Sequence, residues 1–173
     1  MPHVSQMVRA ALMVSDLDAS REFYGTVLGL TEVYMEGVAK GGTMHALIGM
    51  PATITTRTCI LKAPGRPSWG MVGLFEVRDP QPPRLQRNNT TSNVGELCMV
   101  FYCDDLDPVY AEAQRRGLPV LAPPQPLRVR GHVKQREMTF RGPDGEKINL
   151  IEWDIARAES GDRPELWPGV PEG

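Results

Sequence analysis

Two unrelated short motifs occur twice in this chain, in the same order, and that pattern limits what it can fold into. "VSDLD" at 14–18 returns as "CDDLD" at 103–107, and "VGLFEV" at 72–77 returns as "INLIEW" at 148–153. The first pair is separated by 89 residues and the second by 76, so the chain reads as two copies of one unit, the first carrying 13 extra residues. Each repeated strand has an uncharged residue, Gly73 or Asn149, in its second place.

Both copies read alike. "VRAALMV" (8–14) and "ELCMVFY" (96–102) are strand-like, and each is followed by aspartates suited to capping a helix and facing the positive end of its dipole. Leu17, Tyr24, Val27 and Leu28 then recur at helical spacing, as do Leu106, Val109, Tyr110 and Ala113 in the second copy. Glycines in "YGTVLGL" and "RRGLPV" close these helices. Three strands follow each helix: 31–35, 54–62 and 70–77 in the first copy, 118–123, 135–141 and 147–153 in the second. "GPDGEK" at 142–147 marks a turn between the last two. The expected organisation is a first βαβββ module over 7–78, a Pro-, Asn- and Thr-rich linker over 79–94, a second module over 95–155 and a loosely attached tail over 156–173.

The remaining bulk properties exclude more than they assign. A net charge of −2 gives no electrostatic footprint for nucleic acid or anionic lipid. No apolar run approaches the ~18 residues of a membrane span, and the amino terminus lacks the pattern of an export signal. Cys59, Cys98 and Cys103 form an odd set without CxxC spacing, which argues against a zinc ribbon or a disulfide scaffold and for a reducing cytoplasm.

The paired modules, "VSDLDASREFYGTVLGL" after the first strand and "FRGPDGEKINLIEW" at the end, resemble the vicinal oxygen chelate superfamily. That group includes glyoxalase I, extradiol dioxygenases, epimerases and bleomycin-binding proteins. The resemblance covers residues 7–153 and implies an α+β fold: two curled mixed sheets around a shared cavity, with the helices outside. It also implies four metal-ligand places, which fall here on Arg9, Gly73, Cys98 and Asn149. A guanidinium has no lone pair to give, glycine has no side chain and a neutral amide is a poor ligand for a hard cation. Cys98 alone would have no partners. The expectation is therefore no metal and no cofactor, with a divalent metal on relocated ligands as the alternative. Glu76 and Glu152 are the obvious relocated donors, but strand alternation turns them away from Gly73 and Asn149, toward solvent or the helices.

Within that topology, alternation turns Arg9, Met13, Phe75, Cys98, Tyr102, Asn149, Ile151 and Trp153 toward the cavity as the ligand-binding set. Phe75 and Trp153 offer surfaces for stacking on a ring. Arg9 is expected to anchor an anionic group through a buried charge-assisted contact, near Asn149 and Tyr102, in place of the metal. Tyr102 is the candidate general acid, and His45, on a loop across the cavity mouth, the candidate proton shuttle. His45 and His132 together form a weaker candidate metal pair. These residues point to a metal-independent lyase or isomerase acting on a small oxygenated metabolite, anionic or aromatic. The alternatives are a non-catalytic protein that sequesters an antibiotic or toxin, and a metal-dependent dioxygenase or lyase. A two-fold homodimer is expected from exposed strand edges.

Overall fold

The computed structural model describes residues 3–129 and 132–160. The chain divides into two compact units between Gln86 and Arg87. In the first, β1 (Arg9–Val14), α1 (Leu17–Thr26), β2 (Glu32–Lys40), α2 (Thr43–Leu47), β3 (Thr55–Lys62) and β4 (Met71–Val77) build a four-stranded sheet in the order β1-β4-β3-β2. In the second, β5 (Cys98–Cys103), α3 (Leu106–Arg115), β6 (Val120–Val129), β7 (His132–Arg141) and β8 (Lys147–Glu152) build a sheet in the order β5-β8-β7-β6, followed by α4 (Ile155–Glu159). Each sheet is mixed, with one edge pair parallel and the central and other edge pairs antiparallel. The fold is thus α+β, with two βαβββ modules, and the extra length of the first lies between β2 and β3, where residues 41–54 hold α2.

Period-two patterning decides which face of each sheet is covered. Ala10 and Val14 on β1, Cys59 and Leu61 on β3, and Val72 and Leu74 on β4 are buried on the same side as Leu17, Phe23 and Tyr24 of α1. The rings of Phe23 and Tyr24 meet edge to face at 5.1 Å. In the second unit Met99, Met138, Phe140, Ile148 and Leu150 are buried on the side of Leu106 and Ala113 of α3.

The repeated aspartates cap the helices as expected. Asp16 accepts from the backbone N–H groups of Asp18 and Ala19, and Asp105 from that of Asp107. Gly29 and Gly117 take left-handed φ values of 71° and 65° just past the helix ends, which glycine adopts without steric penalty.

The repeated glutamates explain the rest of the recurring strand. Glu76, at the end of β4, accepts from the Leu17 N–H in the first turn of α1 (3.4 Å), from Arg57 of β3 (2.9 Å) and from Arg78 (3.0 Å). Arg57 also holds Asp18 of α1 at 2.9 Å. The second unit repeats this latch: Glu152 accepts from the Leu106 N–H (3.3 Å) and from Arg136 (3.1 Å), and Arg136 reaches Asp107. Both glutamates therefore point to the helix face, as alternation requires. Glu76, however, is buried rather than at solvent, its side chain only 1% exposed against 24% for Glu152.

The segment read as a linker divides between the units. Its later part is bound to the second through the buried Arg141, which pairs with Glu96 and donates to the carbonyls of Asn88, Thr91 and Gly145. The segment read as a tail starts as α4, whose Asp154 caps it and whose Ile155 N–H donates to Asp104; residues 161–173 lie outside the described residues. β6 runs six residues past the expected end at Ala122–Pro123, despite Pro123, Pro124 and Pro126. It is an edge strand whose register shifts fall around the prolines, the positions in a sheet where proline is tolerated.

Two predictions follow from these contacts. Glu76→Ala leaves Arg57 its Asp18 partner but strips a buried carboxylate from the α1 terminus, so we expect about 2–3 kcal/mol of destabilisation in urea unfolding, and less for the more exposed Glu152. Equal losses at both positions would contradict burial as the cause. Hydrogen bonding from Arg141 lowers the Glu96 carboxyl to about 2. Because that lies below the unfolded value of about 4.3, the pair's contribution is complete above about pH 4.3 and is lost as pH falls toward 2. Glu96→Gln should flatten the fall in stability across that window.

Candidate functional site

The face of each sheet opposite its helix carries the candidate residues, and register lays them out in rows. In the first unit Met13 of β1, Phe75 of β4 and Thr58 of β3 form one row; Ala11, Gly73 and Ile60 form the next. In the second unit the matching rows are Tyr102, Ile151 and Glu137, then Val100, Asn149 and Thr139.

Arg9 sits at the start of β1, and its Cδ lies 3.5 Å from where a Cβ on Gly73 would stand. The two ligand places of this unit are thus neighbours, with the Arg9 stem occupying the space that the missing side chain leaves. The residue itself is exposed. This corrects the expectation of a buried anchor: the stem packs on the sheet while the head reaches water, as long cationic side chains do at strand ends. Phe75 is 7% exposed and belongs to the core rather than to a stacking surface, whereas Met13 is exposed.

His45 is also placed differently from the expectation. It lies in the short helix α2, not on a loop, and is wholly buried, with neither ring nitrogen hydrogen-bonded among the described residues. A proton shuttle needs a partner or solvent, and His45 has neither here. His132 begins β7, and its side chain lies outside the described residues.

In the second unit, Cys98 and Asn149 are likewise close, the Asn149 backbone N–H pointing at the thiol. Burial pushes the Cys98 thiol up from its ordinary value, so it stays protonated at neutral pH. Asn149 Nδ2 lies within 3.2 Å of Glu137 Oε2 and the Met138 carbonyl and 3.0 Å from Thr139 Oγ1. With acceptors on that side, the carboxamide nitrogen must face them and the oxygen is turned away. Gln135 Nε2 donates to the other oxygen of Glu137 at 2.6 Å. Ile151 is half-buried and Tyr102 is 42% exposed. Trp153 extends the ladder by donating its N–H to the Cys103 carbonyl, but Arg157 of α4 stands 5.1 Å from the ring centroid, so one ring face is already covered.

Glu137, Gln135 and Thr139 were not singled out from the sequence. The signal was present in "QREMTFR", where Met138 and Phe140 alternate with Glu137 and Thr139, so the polar pair must lie opposite the core.

Among the described residues, no three His, Cys, Asp or Glu side chains are grouped to hold a metal ion. The groups at the four ligand places that the resemblance implies do not together suit a hard divalent metal: a guanidinium, a glycine, a single thiol and an amide whose nitrogen is directed at Glu137. A cleft of about 410 Å³ lies on the other side of the first sheet, along α1 between Asp18, Arg21, Thr26 and Leu61. It contains none of the candidate residues, and Asp18 and Arg21 are already paired with Arg57 and Glu36.

Residues 6–150 match the model of the Glyoxalase/Bleomycin resistance protein/Dioxygenase superfamily, and the chain belongs to that superfamily. Solved structures agree on the fold. A glyoxalase family protein from Bacillus cereus is 17% identical with a TM-score of 0.68, covering 87% of this chain and 95% of its own. A glyoxylase/bleomycin resistance protein/dioxygenase domain from a Frankia species is 18% identical with a TM-score of 0.58, over 86% and 98%. The trypanothione-dependent glyoxalase I of Leishmania major is 14% identical with a TM-score of 0.58, over 91% and 94%. No curated protein matches the chain.

Because the Arg9 head is exposed, Arg9→Ala should change unfolding free energy by no more than about 0.5 kcal/mol. Gly73→Ala brings a methyl to 3.1 Å from Phe75 Cε2, so the buried ring must shift and a loss of about 1 kcal/mol is expected. Denaturant titration of both variants checks the contrast.

Proposed function

We propose that this protein is a metal-independent member of its superfamily that carries out a lyase- or isomerase-type step on a small oxygenated metabolite, anionic or aromatic. The observation that carries the reading is the replacement of all four ligand places by groups that do not suit a divalent metal, while polar side chains remain on the open sheet faces. Arg9 keeps a permanent cation on the first sheet for an anionic group, although in water such a contact is weaker than a buried one. On the second sheet, Asn149 orients Glu137 and turns its own carbonyl oxygen outward. Tyr102 presents a hydroxyl that can donate to a substrate oxygen.

The finer assignments belong to the same proposal. A cytoplasmic location is supported by three unpaired cysteines. A homodimer is supported by β2, a nine-residue edge strand with Tyr34, Met35 and Val38 exposed. Light scattering at micromolar concentration should give twice the chain mass.

Elemental analysis of protein purified without an affinity tag tests the central point. Well under one Zn, Fe, Mn or Ni per chain is expected, with any turnover unaffected by chelator. About one metal per chain, with turnover lost to chelator, would overturn the reading.

A further inference from the structure

The geometry points to Glu137 and Tyr102 as a proton-transfer pair on the second sheet, Glu137 taking a proton from carbon beside a substrate carbonyl and Tyr102 donating one to the carbonyl oxygen. This rests on the metal-independent reading above and adds to it the base, the acid and the substrate class, a small carbon acid such as a 2-oxo acid.

Tyr102, Ile151 and Glu137 stand in register on β5, β8 and β7, as Met13, Phe75 and Thr58 do on β1, β4 and β3. At matched places in the two units, one row has no ionisable group and the other ends in a carboxylate and a phenol. Accessibility differs at two of the three places: Phe75 and Thr58 are buried whereas Ile151 and Glu137 are half-buried, while Met13 and Tyr102 are both exposed. Side chains two strands apart stand about 10 Å from each other at the backbone, a gap that a small metabolite lying over Ile151 can span.

Glu137 is also held in position. Gln135 donates to one oxygen and Asn149 to the other, and both donors are neutral amides. They fix the carboxylate without neutralising it. Thr139 shares the Asn149 amide and completes the support. Asn149 and Gln135 are thus positioning residues for Glu137.

The step balances without a co-reactant. Glu137 accepts the proton from the carbon, the C–H electron pair becomes the C=C bond of an enol, and the carbonyl π pair takes the proton of the Tyr102 hydroxyl. Reversal returns a proton to carbon. Return to the original carbon after solvent exchange gives hydrogen–deuterium exchange; where that carbon also bears a hydroxyl, the enol is an enediol, and loss of that hydroxyl proton with protonation of the former carbonyl carbon gives isomerisation.

That exchange is the test. Full-length protein, with EDTA present, is incubated in D₂O with pyruvate, 2-oxobutyrate or phenylpyruvate, and loss of the C3–H signal is followed by proton NMR. Wild type should accelerate exchange of at least one probe tenfold or more over buffer. Glu137→Gln should lose about a hundredfold or more of that acceleration, Glu137→Asp should recover part of it, and Tyr102→Phe should lose about tenfold. Tyr102 is at the surface, so its variant decides the matter if Glu137→Gln fails to fold. No acceleration of any probe by wild type either with or without EDTA, or exchange by Glu137→Gln within threefold of wild type, would overturn the pair. Exchange that vanishes on adding EDTA yet still requires Glu137 when EDTA is omitted would instead overturn metal independence and leave the pair standing.

Discussion

In each unit, a carboxylate at the end of the final strand holds the start of the helix. Glu76 and Glu152 accept from the first helical N–H, and Arg57 and Arg136 tie the same carboxylates to Asp18 and Asp107. A helix terminus presents unsatisfied donors and a positive dipole end, so a fixed anion there sets where the helix begins and which sheet face it covers. Once that face is covered, alternation leaves the other for ligands. The glutamates of the repeated strand therefore serve the fold, pointing at the helix termini and away from the face of Gly73 and Asn149.

Because the latch is the same in both units, differences on the opposite faces stand out. The first sheet has become mostly core there: Met71, Phe75, Val77, Thr56, Thr58 and Ile60 are all buried. The second keeps an organised polar group around Glu137 and an exposed phenol. The second face thus keeps an ionisable carboxylate, held by two amides, and a phenol at places where the first has none.

Chemistry of the side chains, more than likeness of fold, supports this reading. The structural relatives are below 20% identical, so they establish architecture and say nothing of substrate. Cys98 illustrates the point: at the place where the resemblance puts a ligand stands a thiol that burial pushes up from its ordinary value.

The sequence by itself determined the duplication, the βαβββ order within each copy, the capping aspartates and the glycines past the two long helices, because these depend on local periodicity and backbone preference. The resemblance also put the superfamily's ligand places on Arg9, Gly73, Cys98 and Asn149, and the residue types at those places can be read without a structure. Only the tertiary structure decided what lies far apart in the chain but close in space. β6 continues through its prolines because it is an edge strand, a position that no local pattern reveals. The later part of the linker joins the second unit because Arg141, some fifty residues downstream, finds its carbonyls. Arg9 reaches water, His45 is buried, and Glu137 meets Asn149 because pairing of strands and burial are set by the whole sheet. Alternation assigns a face to each side chain, but only register and covering mass decide which neighbour it meets and whether water reaches it.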